Sequence, residues 1–239
     1  MDTAIYTLSY AAIALLGFIA LKPLDIRLAY SFGLLFVLYL TLDDFATGLT
    51  YLTSFFNFLP GHWNWEGKIY SLLLSVVVIL GLGMNAKAVG LVLPQKNIKL
   101  GLIALIPLVL MGVVLGLIHD PAPPSTETIA FQLLMPSAAE ELAFRGIAPA
   151  LLLGLVRGKT PPQGMPWIVV CIAAIPFGVV HGLNVSNGAF SVDLQSALWT
   201  LSGGIIYGWL RFSSGSLLFP LLAHSFTNVA FHLTALIGA

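Results

Sequence analysis

The chain has 239 residues, of which 58% are hydrophobic and 8% charged, with ten basic and ten acidic side chains. A soluble domain carries about 25% charged residues. This chain lacks the polar groups to cover a water-exposed surface and reads as a polytopic membrane protein. The zero formal net charge excludes the basic footprint of a nucleic-acid-binding protein, so nucleic acid is not an expected partner.

A helix crosses the bilayer core in about 20 apolar residues. The runs that approach this length are Thr3–Leu21, Leu28–Leu42, Ile69–Met84, Leu100–Ile118, Glu127–Val156, Trp167–Leu183, Leu194–Leu210 and Leu217–Ile237. The expected fold class is all-α: a polytopic transmembrane helix bundle of about eight transmembrane helices with a buried polar site. Asp2 stands where a cleavable signal would carry basic residues, and Lys22-Pro23 follows the first run, so that run is expected to be a retained helix. Asp43–Lys68 is rich in aromatics, among them Tyr51, Phe55, Trp63 and Trp65, and is expected at the membrane–water interface. Cys171 is the single cysteine and forms no internal disulfide.

The connections alternate in charge. Lys22, Arg27, Lys87, Lys96, Lys99, Arg157, Lys159 and Arg211 follow the odd runs. Asp43, Asp44, Glu66, Asp120, Glu127 and Asp193 fall in the other connections, with Lys68 as the lone basic residue there. The positive-inside rule then puts the basic connections in the cytoplasm and both termini outside. Residues 1–97 are expected to form N-terminal membrane helices with an aromatic interfacial segment, and 98–239 the core that carries the chemistry.

In the fifth run, Glu140-Glu141-Leu142-Ala143-Phe144-Arg145-Gly146 holds three ionised groups. Each costs about 2.5–3.5 kcal/mol at the centre of a membrane helix, so each must face a partner rather than lipid. Glu141 and Arg145 are i,i+4 neighbours and can pair. Glu140 points about 100° away from Glu141 and is left free to act. Pro136 and Pro149 flank the motif and are expected to kink the helix. Phe177 and His181 share a face of the sixth run, as do His224 and Asn228 of the last, where His232 extends the row in a structural role. A carboxylate, two imidazoles and a carboxamide can deprotonate water and donate to an oxyanion, or ligate a metal.

In order, these residues form E-E-x-x-F-R-G, F-x-x-x-H and H-x-x-x-N, and in this the chain resembles the CPBP intramembrane proteases, also called the CAAX-processing and bacteriocin-processing, or Abi, family. The resemblance covers about Glu127 to Phe231. It implies an intramembrane endopeptidase that cleaves a membrane-associated or lipidated, CAAX-like protein or peptide, in contact with membrane lipids. It implies Glu140 as the water-activating carboxylate assisted by His181, with His224 and Asn228 as the oxyanion pair, and Glu141, Arg145 and Phe177 in support. A metalloprotease variant of this reading would hold zinc with His181, His224 and Glu140. The location implied is a bacterial plasma membrane. The alternative is a non-catalytic membrane adaptor or bacteriocin-immunity protein, and behind it an ion-coupled transporter whose Glu and His residues form the ion site.

Overall fold

The computed structural model of the protein describes residues 2–237 and is a helix bundle. Met1, Gly238 and Ala239, the chain ends whose side the charge pattern assigns, lie outside the described residues. The helices are α1 (Asp2–Leu21), α2 (Tyr30–Leu52), α3 (Trp65–Gly81), α4 (Ala86–Val89), α5 (Ile98–His119), α6 (Thr126–Glu141), α7 (Ala148–Leu152), α8 (Trp167–Gly182), α9 (Leu194–Ser214) and α10 (Leu218–Leu233). By length and composition, Asp2–Leu24, α2 and α5 can cross a membrane, and α8 is a shorter apolar helix. The protein is thus an all-α integral membrane bundle, and among the described residues three helices rather than eight meet that measure.

Side chains set several boundaries. The Asn64 side chain accepts the Gly67 N–H at the start of α3, Ser125 accepts the Thr128 N–H at the start of α6, and Asp193 accepts the Ser196 N–H at the start of α9. Gly215, at φ 80°, ends α9 in the left-handed conformation that glycine tolerates best.

Three local expectations change. First, α2 runs ten residues past Leu42, so Asp43 and Asp44 lie inside a helix rather than in a connection. Second, the fifth run is not one helix. Leu142–Ile147 winds as a π-helix between α6 and α7. Pro149 has no N–H for the Arg145 carbonyl, and the chain is wound wide just before it. Pro136 is accommodated inside α6. Third, Leu183–Ser186 (β1) and Ala189–Val192 (β2) form an antiparallel hairpin that joins α8 to α9. Its turn is Asn187-Gly188, both at positive φ, as a tight hairpin turn requires.

Close helix approach brings the site together. A Cβ on Gly112 of α5 would collide with the Thr227 carbonyl of α10. Gly178 and Gly182 of α8 abut Ala197 and Leu201 of α9, and Gly204 and Gly208 of α9 abut Ala174, Phe177 and Val170 of α8. Small residues let membrane helices pack backbone to backbone, where dispersion and interhelical hydrogen bonds replace the hydrophobic drive. The main core runs from Tyr10, Phe18 and Phe36 through Ile147 and Leu151 to Val169, Phe177 and Leu217. The N-terminal helices therefore share a core with the motif-bearing ones.

The two ends of the bundle differ in charge. Arg157 and Gly158 donate backbone N–H groups to Leu82 and Gly83, and Lys96 donates its own to Ser214. The Arg211 guanidinium donates to the Lys87 and Ala88 carbonyls, and Arg27 and Lys159 line one surface cavity there. At the other end the Asp2 carboxylate accepts the Asn187 and Gly188 N–H groups. There, too, Glu127 accepts the backbone N–H groups of His62 and Trp63 and the indole N–H of Trp65.

Candidate active site

Glu140 and Glu141 are adjacent on α6 and face different partners. Glu141 Oε1 lies 3.0 Å from an Arg145 guanidinium nitrogen, with the two side chains 0% and 2% exposed. The same oxygen lies 2.7 Å from His224 Nδ1. An ionised carboxylate only accepts, so Nδ1 carries the hydrogen and Nε2 is the end of the His224 ring that meets the cavity. Arg145 is held from its other side by aromatic faces, 3.9 Å above Phe177 and 5.2 Å from Tyr207. A guanidinium over aromatic rings gains about 2 kcal/mol or more when desolvated.

Phe177 has two further contacts. Its carbonyl accepts from His181 Nδ1 at 2.8 Å, and its ring centroid is 4.7 Å from that of His181. A carbonyl only accepts, so the His181 hydrogen sits on Nδ1, and Nε2 of the neutral ring is an acceptor. Tyr207 stacks on His224 at 5.5 Å with 19° between the planes. His224 is thus fixed by a carboxylate at one nitrogen and a phenol ring on its face.

Glu140 is where the three motifs meet. Among the described residues its Oε2 has no hydrogen-bond partner, and it lies 3.9 Å from His181 Nε2 and 3.8 Å from His224 Nε2. A water between Oε2 and His181 Nε2 would sit about 2.8 Å from each, an ordinary hydrogen-bond length. The three groups line a cavity of about 780 Å³, together with Asn228, Gln132 and Lys68. Asn228 Nδ2 donates to Gln132 Oε1 at 3.0 Å, which orients the amide and leaves its second hydrogen. His232 lies at the cavity edge, its ring edge-on to Trp63 at 5.8 Å.

Lys68, Gln132 and Tyr207 line the site and escaped the sequence reading. Lys68, at the start of α3, places Nζ 2.7 Å from Glu140 Oε1, with the two side chains 16% and 13% exposed. Glu140 is therefore not left free, as the helical spacing alone suggested. The available signal was that Lys68 breaks an otherwise acidic set of connections. Gln132 could have been found from its spacing, since residues 132, 136 and 140 follow one helix face.

Among the described residues, no group of three or more His, Cys, Asp or Glu side chains is spaced to hold a metal ion. The Lys68 ammonium is the cation in contact with Glu140.

Residues 123–230 match the family model described as type II CAAX prenyl endopeptidase Rce1-like. The match is consistent with a protease of the CPBP family and covers all three motifs. Comparison with curated proteins and with solved structures gives no match.

Proposed function

We propose, from the match of residues 123–230 to the Rce1-like endopeptidase family model, that the protein hydrolyses a peptide bond of a membrane-associated or prenylated substrate with water activated by Glu140. The observation that carries this reading is the unpartnered Glu140 Oε2 facing two imidazole nitrogens at 3.8 and 3.9 Å on a large cavity.

A water in that gap donates one hydrogen to Oε2 and the other to His181 Nε2, and keeps a lone pair for the scissile carbonyl. Attack forms the new C–O bond as the water proton passes to Glu140. The carbonyl oxygen becomes an oxyanion, and Asn228 and His224 line the cavity where it develops. Asn228 has one N–H beyond the bond to Gln132. The His224 ring faces the same cavity with Nε2 and is held in that orientation by Glu141 at Nδ1. Glu140 then delivers its proton to the leaving nitrogen, the C–N bond breaks, and a carboxylic acid and an amine leave. Preorganised donors of this kind are worth about 2.7–4 kcal/mol each in hydrolases.

The test is purified protein in bilayer discs with a panel of prenylated CAAX peptides and transmembrane peptides. Wild type should cleave at least one. Glu140→Gln and His181→Ala should lower kcat by about 100- to 10,000-fold. Equal cleavage by wild type and Glu140→Gln would overturn the mechanism, and a wild type inert on the whole panel would count against proteolysis and favour the adaptor reading.

A further inference from the structure

We propose that Lys68 is the positioning residue of the site: its ammonium ties one oxygen of Glu140 and so presents the other oxygen to the water between the histidines. The inference rests on the protease reading for its kinetic consequence, and on geometry alone for the pairing.

Lys68 comes from α3, outside the region matched to the protease family, and its Nζ is 2.7 Å from Oε1. Each carboxylate oxygen thus has a separate task. Oε1 is bound, and Oε2 is the one without a protein partner. A carboxylate whose one oxygen is fixed this way loses the rotation that would otherwise share the water between both.

Behind the pair lies a second, smaller cavity of about 180 Å³ lined by Tyr10, Asp43, Asp44, Ser71, Lys68 and Glu140. Asp43 Oδ1 accepts the Ser71 hydroxyl at 2.6 Å, one helical turn along α3 from Lys68. Both carboxylates of α2 therefore share this cavity with Lys68 and Glu140. They attract the ammonium, while Glu140 holds it by a direct hydrogen bond. The other titratable groups around Glu140 are His181 from α8, His224 from α10, Tyr207 from α9, and Glu141 with Arg145 on its own strand of chain. Glu141 is neutralised by Arg145. Lys68 is thus the full positive charge in direct contact with Glu140.

Without that contact the Glu140 carboxylate is free to turn, and the water is shared between both of its oxygens. Lys68→Met keeps the length of the side chain and removes the charge. It should lower kcat by about 100-fold, the order expected for a misplaced reacting group. KM should stay near wild type, because Lys68 is expected to act on the carboxylate and not on the substrate. Lys68→Arg, which keeps the charged donor, should recover most of the lost kcat.

Infrared difference spectroscopy reads the same pairing without any substrate. The carboxylate stretch that Glu140→Gln removes should shift in Lys68→Met relative to wild type and return in Lys68→Arg. That shift with a wild type that cleaves nothing would sink the protease reading and leave the pairing standing. Cleavage by wild type, with kcat and the carboxylate stretch unchanged in Lys68→Met, would overturn the role of Lys68. If Lys68→Met does not fold, Lys68→Met/Glu140→Gln should regain part of the lost stability, since the Glu140 charge is removed with its counter-ion. Failure of the double variant to do so would also overturn the proposal.

Discussion

Glu141 Oε1 accepts from Arg145 and His224 together, so one buried atom links the charge balance of α6 to the orientation of a proposed catalytic ring. Removing one partner of a buried ion pair costs about 3–5 kcal/mol, because the other charge is left uncompensated. Arg145→Met should therefore lower thermal stability by that order and cleavage with it, and Glu141→Gln/Arg145→Met should recover much of the stability, as read by melting in detergent. A melting temperature of Arg145→Met equal to wild type would refute the argument. A strong chelator should leave wild-type cleavage unchanged, because Lys68 supplies the cation at Glu140. Loss of activity that added zinc restores would show that a metal takes part. The Glu141–Arg145 pair was legible from i,i+4 spacing alone. Lys68 was not, because it meets Glu140 across 72 positions of sequence. Helical periodicity reports which residues share a face and is silent on what a distant helix brings to it.

The elements show the same division. The apolar runs gave most helices to within a few residues; the exceptions are the fifth run, which the π-helix at Leu142–Ile147 divides, and α2, which Asp43 and Asp44 continue. Hydropathy ended α2 early because both carboxylates are hydrophilic, although Asp43 is turned inward onto Ser71. The hairpin had a readable signal in Asn187-Gly188 between short alternating segments, but at four residues a strand it is minor beside the helices. The glycine contacts give a contrast in sign. Gly48 of α2 has open space around it, so Gly48→Ala should stabilise by about 0.5–1 kcal/mol through helix propensity. Gly112→Ala forces a methyl against the Thr227 carbonyl and should destabilise, with a fall in cleavage as α10 and His224 shift. Equal melting shifts for the two variants would contradict this account of α5–α10 packing.

At the scale of the molecule, the basic connections gather at one end of the bundle, and the cavity is lined by Tyr51, His62, Trp63 and Asn64 from the segment near the other. The positive-inside rule then predicts that the cavity opens away from the cytoplasm. In a Cys171→Ser background, His62→Cys should react with an impermeant maleimide on intact cells, and Lys159→Cys only after permeabilisation. The reverse pattern would invert the orientation. The charge alternation carried from sequence the side of the basic connections, and did not say to which side the cavity opens. It could not say that the two sets of loops would touch one another, which depends on hydrogen bonds such as Arg157 N–H to Leu82.

The ion pair between Lys68 and Glu140 also has a consequence for the order in which the protein assembles. Chains are made from the N-terminus, so α3 is in place before α6 is synthesised. The carboxylate that is most expensive to leave in lipid therefore arrives after its counter-ion. A fragment that begins at residue 98 would contain all three motifs and still enter the bilayer with that carboxylate uncompensated, at about 2.5–3.5 kcal/mol or more. The motif-bearing half is thus a dependent half, and its helices are expected to require the first three as an insertion partner.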